Sequence, residues 1–228
     1  LETYPDLDPA HFAVGSVTPD SGIPDEKWEK FTPPPEVTHF LDPSSPHRDI
    51  KDMQFYRRYL QPLRGGEDRE QISFRVGYFL HLITDNLWSR KIGIPTKLRF
   101  TAEFAADQDF IWEVKKDWYG LDFIYVRDHP DCLYWRVFLD AEPEDGGMDF
   151  LLPEGAHRCL KHIKEYYQRT DEEIQALYKR PYIYLSQEEA DLFVQESSCL
   201  LARIYRHVWV NGASFNGAGS ALDLDISA

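Results

Sequence analysis

The chain has 228 residues, of which 43% are hydrophobic and 14% aromatic. That suffices for one domain with a sizeable core and excludes disorder as the main state. With 25 Lys and Arg against 39 Asp and Glu, the net charge of −14 argues against a surface for polyanions such as nucleic-acid duplexes.

Asp8-Pro9 reads as an N-cap followed by proline at the first helical position, opening a helix toward Gly15. Thr18-Pro19-Asp20 follows as a turn. The stretches Pro33–Pro35 and Asp42–Arg48 are loop-like and delimit a short segment ending in Val37-Thr38-His39-Phe40. From Asp49 to about Arg64 the pattern is helical, with Met53, Tyr56 and Leu60 on one side, and Gly65-Gly66 ends it. A long helix is predicted from Glu67 to about Lys91. Further helices are predicted near 101–119, 154–168, 171–178 and 187–209. Asp171, Glu172 and Glu173 form an acidic helix start, and Ser186 with Glu189 forms a capping box. The aromatic stretch 119–138, interrupted by Pro130, suits helix or strand. The expectation is an all-α single domain over residues 1–210, with long loops in its first third and a C-terminal tail over 211–228.

No apolar run reaches the roughly 18 residues a membrane-spanning helix needs. Cys132, Cys159 and Cys199 are widely spaced, and no CxxC occurs. That argues against a disulfide framework and a cysteine zinc site, and a reducing, cytoplasmic setting is expected. The chain opens on Leu1 without a signal-peptide pattern, so residues upstream of it are expected.

The segment QISFRVGYFLHLITDNLW, residues 71–88, carries the chemistry. Ile72, Val76, Phe79, Leu80, Ile83 and Leu87 make a core stripe. His81 and Asp85 lie one turn apart on the opposite face, among Gly77, Tyr78, Thr84 and Trp88. A helix apolar nearly all round is central, and buried carboxylate and imidazole groups on it each cost several kcal/mol unless partnered. Three arrangements fit: a self-satisfying hydrogen bond, a metal-ligand pair, or a general acid/base pair. With Asp20 and His39 upstream, the set Asp20, His39, His81 and Asp85 holds two carboxylates and two imidazoles. Such a set suits zinc or another divalent ion of similar size.

The order GSVTPD, THF, GYFLHLITDNLW resembles the bacterial zinc-dependent phospholipase C family. That family shares its all-helical fold with the single-strand-specific zinc nucleases. The later KKDWYGLDFIYVRDHPD, followed by the PEGA helix, is similar to small members described as phospholipase C-like hydrolases. The resemblance spans roughly residues 9–200. It implies that Asp20, His39 and His81 bind one zinc and that Asp85 binds the same ion, bridging to a second zinc in the full enzymes. Those enzymes take another ligand from a histidine near the start. His11 lies close to Asp20 in sequence, so that ligand is expected before Leu1. They also hold a third metal on and after the HxxxD helix. Here no histidine follows His81 until His129, so that third site is expected to be absent or rebuilt.

The implied function is a zinc-dependent phosphodiesterase-type hydrolase, using one or two Zn2+ on a small phosphate-ester or phospholipid-like substrate. Asp85 would orient the attacking water. Two other readings stay open. One is a catalytically weak member that keeps one structural metal and acts as a binding module. The other is a metal-free helical domain. Among other polar residues, Asp117 and Asp122 suit either helix surface or acceptors for imidazole N–H groups. His129, His157, His162, His207 and Glu103 read mainly as surface or core residues. Arg75 reads as a salt-bridge residue that could also clamp phosphate.

Overall fold

The computed structural model of the chain describes residues 6–42, 44–45, 49–212 and 217–226. Helix α1 (Pro9–Gly15) starts as its sequence directs: the Asp8 carboxylate accepts hydrogen bonds from the N–H groups of Ala10 and His11. A 3-10 turn, Thr18–Asp20, follows. Strands β1 (Ile23–Pro24) and β2 (Phe31–Thr32) pair antiparallel, with Ile23 opposite Thr32. They form the sole sheet among the described residues. Two short helices come next, α2 (Pro35–Thr38) and α3 (Asp52–Phe55). The second runs on through a π-helical turn, Tyr56–Leu60, and a 3-10 turn, Gln61–Leu63.

Helix α4 (Arg69–Trp88) is capped by Asp68, which accepts from the Gln71 N–H. It continues through a π turn, Ser89–Gly93, into α5 (Ile94–Arg99). Then come α6 (Thr101–Ala106), α7 (Phe110–Asp128), α8 (Leu133–Arg136), α9 (Pro153–Tyr166), α10 (Asp171–Tyr178) and α11 (Gln187–Tyr205). The capping box at Ser186 and Glu189 is present, and Thr170 with Glu173 forms a second.

The fold is all-α. One helical stretch differs from expectation and one open assignment is decided, both for local reasons. The segment 101–119 breaks because Asp107 leaves helical geometry (φ −137°, ψ 116°) and its carboxylate caps the Asp109 N–H. This is the usual way a short acidic side chain competes with the helix. The aromatic stretch is helical, since α7 runs to Asp128 and stops before Pro130.

Helix α4 is the central element. Phe74, Val76, Tyr78, Phe79, Leu82 and Ile83 are each at most 1% exposed. Each such burial is worth roughly 1.5–3 kcal/mol. Tyr78 stacks on Phe55 with centroids 4.7 Å apart, and Trp88 meets Trp118 and Phe193 edge-on at 5.1 and 5.0 Å.

Helix α1 crosses α4 at a pair of glycines. A Cβ on Gly77 would sit 2.2 Å from the Phe12 carbonyl oxygen, and one on Gly15 would sit 2.0 Å from that of Phe74. Any side chain at either position would push the helices apart. This contact sets the height of the loop after α1 against the C-terminal half of α4.

The described part of the expected tail, 217–226, packs onto the core. Ala221 is fully buried. The buried Asp52 carboxylate accepts from the Ala221 N–H (2.7 Å), the Ser220 hydroxyl (2.5 Å) and the Asn86 amide (2.9 Å). Residues 213–216 and 227–228 of that stretch lie outside the described residues. Among the described residues, no helix is long and apolar enough to cross a membrane. All three cysteines are free thiols.

Candidate metal centre

Each of the four residues singled out in the sequence is placed by a local device. Asp20 ends the 3-10 turn, whose Thr18 hydroxyl donates to the Val14 carbonyl at 2.7 Å. His39 caps α2, its backbone N–H donating to the Pro35 carbonyl. Phe40 then takes a left-handed backbone (φ 53°), uncommon for a bulky residue. Its ring is wedged edge-on against Phe55, Tyr59 and Phe150 at 5.6, 6.2 and 5.8 Å, which holds the turn and so holds His39. His81 and Asp85 come from α4.

The two imidazoles are oriented alike. His81 Nδ1 lies 2.8 Å from the Ser16 carbonyl oxygen, and His39 Nδ1 lies 2.9 Å from the Thr38 hydroxyl. A carbonyl only accepts, so His81 Nδ1 carries the proton, and in the neutral ring Nε2 bears the lone pair. That Nε2 is buried and makes no hydrogen bond. It nonetheless faces Asp85 Oδ2 at 3.3 Å and Asp20 Oδ2 at 4.0 Å. His39 Nε2 faces Asp20 Oδ1 at 3.3 Å and Asp85 Oδ2 at 3.6 Å. One ligand atom from each of Asp20, His39 and His81 lies within 4.8 Å of the other two.

These spacings leave room for a shared ion. Ligand bonds of about 2.0–2.1 Å in a tetrahedron put neighbouring donor atoms roughly 3.3–3.4 Å apart. Direct charge-assisted N–H···O bonds close to about 2.7–2.9 Å. Three of the four imidazole–carboxylate distances fall at 3.3–3.6 Å, the longest being 4.0 Å.

The electrostatics are those of crowded opposite charges. The protein crowded around Asp20 works to raise its carboxyl, but the His39 hydrogen bond and the charges of His81, His39 and Lys115 hold it down at about 2. Burial works to lower His81, but Asp85 above all, then Asp20 and the Ser16 carbonyl, lift it to about 9. The imidazoles are sunk in the protein, at 12% and 14% side-chain exposure, while Asp20 and Asp85 keep 66% and 41%. The cluster therefore opens to solvent on its carboxylate side. Helix α9 packs beneath it, its Cys159 thiol 3.6 Å from the Val17 carbonyl.

The other sequence candidates lie elsewhere. His11 meets Asp8, Glu70 and Glu144, at 2.7, 3.6 and 3.9 Å. Glu70 sits at the start of α4, 11 residues before His81, roughly 16 Å along the axis. Arg75 is no salt-bridge residue among the described residues: it donates to the carbonyls of Tyr59, Gly146 and Gly147. Asp117 is fully buried and serves no imidazole. It accepts from the Ile183 and Tyr184 N–H groups and from Arg180, tying the 180–184 segment to α7. Asp122 touches solvent, and the protein crowded around it pushes its carboxyl up to about 6. His129, His157, His162 and Glu103 are exposed, and His207 is half-buried, all outside the cluster. Asp52, Asn86 and Lys115 carry no motif or spacing that marks them among the candidates. Asn86, which follows Asp85, bears one weak sign: a polar residue inside an otherwise apolar helix.

Comparison with family models, with curated proteins and with solved structures finds no match for this chain.

Proposed function

We propose that this chain is a zinc-dependent hydrolase of phosphate esters, with a phosphodiester or phospholipid-like substrate. The observation that carries the reading is the buried His81 Nε2, which faces two carboxylates, Asp85 Oδ2 at 3.3 Å and Asp20 Oδ2 at 4.0 Å, at spacings open to co-ligands. An ion among Asp20, His39, His81 and Asp85 would take the neutral His81 Nε2 as a ligand and offset the two carboxylate charges gathered around it.

When bound, zinc supplies a Lewis acid and lowers the pKa of a bound water toward neutrality. The chain's own groups do the rest. Ser16 and Thr38 fix the two rings through Nδ1, the usual outer support of a ligating histidine. Asp85 turns Oδ2 toward both imidazoles. Its other oxygen is the acceptor that orients water on the open side. That open side favours a catalytic over a structural ion, because structural zinc sites are closed by protein ligands.

The test is metal analysis of the purified chain beside His81→Ala, after loading with zinc. Two or more ions per chain in the wild type support a bridged hydrolytic site, and phosphodiesters are then the substrates to assay. One ion, lost in His81→Ala, keeps the ligand set but points to the structural-metal binding module. No zinc in either protein refutes the assignment.

A further inference from the structure

A cavity of about 490 Å³ opens between α7, the α8 segment and the turn from α9 into α10, and it shares no residue with the metal cluster. Its size falls within the roughly 300–1,000 Å³ of small-molecule sites. Phe123, Trp135, Leu139, Tyr167 and Ile174 make the walls apolar, and three of the five are aromatic. Phe123 and Tyr167 meet edge-on with centroids 5.5 Å apart. The Trp135 indole is fixed by its Nε1–H, which donates to the Val126 carbonyl at 2.7 Å. Walls held in this way need little reordering when a ligand arrives.

The charged groups of the lining are two guanidiniums, Arg127 and Arg169, and no carboxylate lines the cavity. Arg169 sits 4.6 Å over the Phe123 ring centroid and 5.2 Å from that of Tyr166. Contact with a ring occupies the face of a guanidinium and leaves its N–H edge for an acceptor. The Arg169 Nε is buried and has no hydrogen-bond partner among the described residues, and Nη1 reaches Glu173 only at 3.4 Å. Arg127 pairs with Asp171. Asp171 and Glu173 are both exposed and outside the lining. A buried N–H without an acceptor is costly, and a ligand carboxylate supplies one. The chain carries a net charge of −14, so its surface repels anions except where local cations offset that field, as two do here.

We infer that this cavity is a binding site for a small aromatic carboxylate, with Arg169 holding the carboxylate and Phe123, Trp135 and Tyr167 packing around the ring. The guanidinium offers parallel N–H bonds that match the two carboxylate oxygens, a fit that a neutral amide cannot return. Arg127 adds a second positive charge to the same lining. The aromatic body follows from the three ring walls, because ring pairs gain more than the area they bury. The inference stands apart from the phosphate-ester reading, since it uses no residue of the Asp20, His39, His81 and Asp85 cluster.

The probe is 2-naphthoate, titrated calorimetrically into the full chain, with 2-naphthamide as its uncharged counterpart. Arg169→Gln, Arg169→Lys, Leu139→Trp and Arg158→Gln are compared with the wild type, with the melting temperature measured on each. The expected result is that the wild type binds the acid about tenfold or more tightly than the amide. Arg169→Gln loses about tenfold or more in affinity for the acid, and Arg169→Lys regains part of it, because an ammonium keeps the charge without the fork. Leu139→Trp fills the cavity with Arg169 intact and also loses binding. Arg158, exposed and off the lining, is the control, and Arg158→Gln binds as the wild type does. Equal affinity for acid and amide, or wild-type affinity in folded Arg169→Gln, overturns the inference. So does wild-type affinity in folded Leu139→Trp, which places the probe elsewhere, the metal cluster included. Failure of the wild type to bind 2-naphthoate refutes it outright. If Arg169→Gln does not fold, Leu139→Trp and the comparison of acid with amide decide.

Discussion

His81 Nδ1 lies 2.8 Å from the Ser16 carbonyl oxygen, so the segment after α1 decides which nitrogen of His81 faces the carboxylates. The contact exists because Gly77, one turn before His81, lets α1 lie against α4 with no side chain between. Orientation of the imidazole and packing of the two helices are one structural fact.

Gly77→Ala tests that link. The added methyl meets backbone 2.2 Å away, which cannot yield as a flexible side chain would. A cost of roughly 1–3 kcal/mol or more is expected from overpacking. Thermal unfolding should show the loss, and zinc affinity should fall in protein that is still folded. Wild-type zinc affinity in this variant would mean that Ser16 does not hold the ring.

Asp85→Asn separates holding the metal from acting on water. If Asp85 orients the attacking water, turnover of a phosphodiester should fall by about 10²–10⁴ while some zinc is retained. Activity within a few-fold of wild type, with zinc bound, would remove Asp85 from the reaction.

Arg75→Met should be costly for stability and silent for metal. Its guanidinium satisfies three carbonyls, those of Tyr59, Gly146 and Gly147. Leaving buried acceptors unpaired costs about 1–3 kcal/mol each. Denaturant titration reads the loss, and zinc uptake by the folded fraction should match the wild type.

Asp52 gives the fold a pH dependence of unusual sign. Its burial pushes the carboxyl from 3.8 up to about 6, against the hydrogen bonds from Ser220, Ala221 and Asn86. Between these values the folded chain holds more protons than the unfolded one, so stability contributed by Asp52 falls as pH rises from about 4 to about 6. The size is of order 1–3 kcal/mol. Asp52→Asn does not titrate, so the stability gap between variant and wild type should drift over that window and level off above it. A gap constant from pH 4 to 7 would contradict the shift.

The thiols make a simple accessibility test. Cys199 is exposed, whereas burial pushes the Cys159 thiol up to about 12. A thiol reagent should label Cys199 first, and Cys199→Ser should abolish the fast phase. Rapid labelling of Cys159 would contradict its packing against Val17.

What the sequence determined by itself is what is local. Asp8-Pro9, the Ser186–Glu189 box, the Asp171 start and the Pro130 stop each act within about one helical turn, and each is where the spacing placed it. The one-turn relation of His81 to Asp85 is local in the same way. Asp20 and His39 stood out only beside that pair and through a family resemblance, since neither has a periodic signature of its own. Their convergence was decided by the glycine crossing of α1 with α4 and by the wedged ring of Phe40. Tertiary structure alone joined Asp52 to Ser220 and Ala221, Arg75 to Gly146 and Gly147, and Asp117 to Ile183 and Tyr184. Those partners stand 66 to 169 residues apart. A buried charge must find its partner wherever the fold brings a backbone group, and no sequence period records that distance.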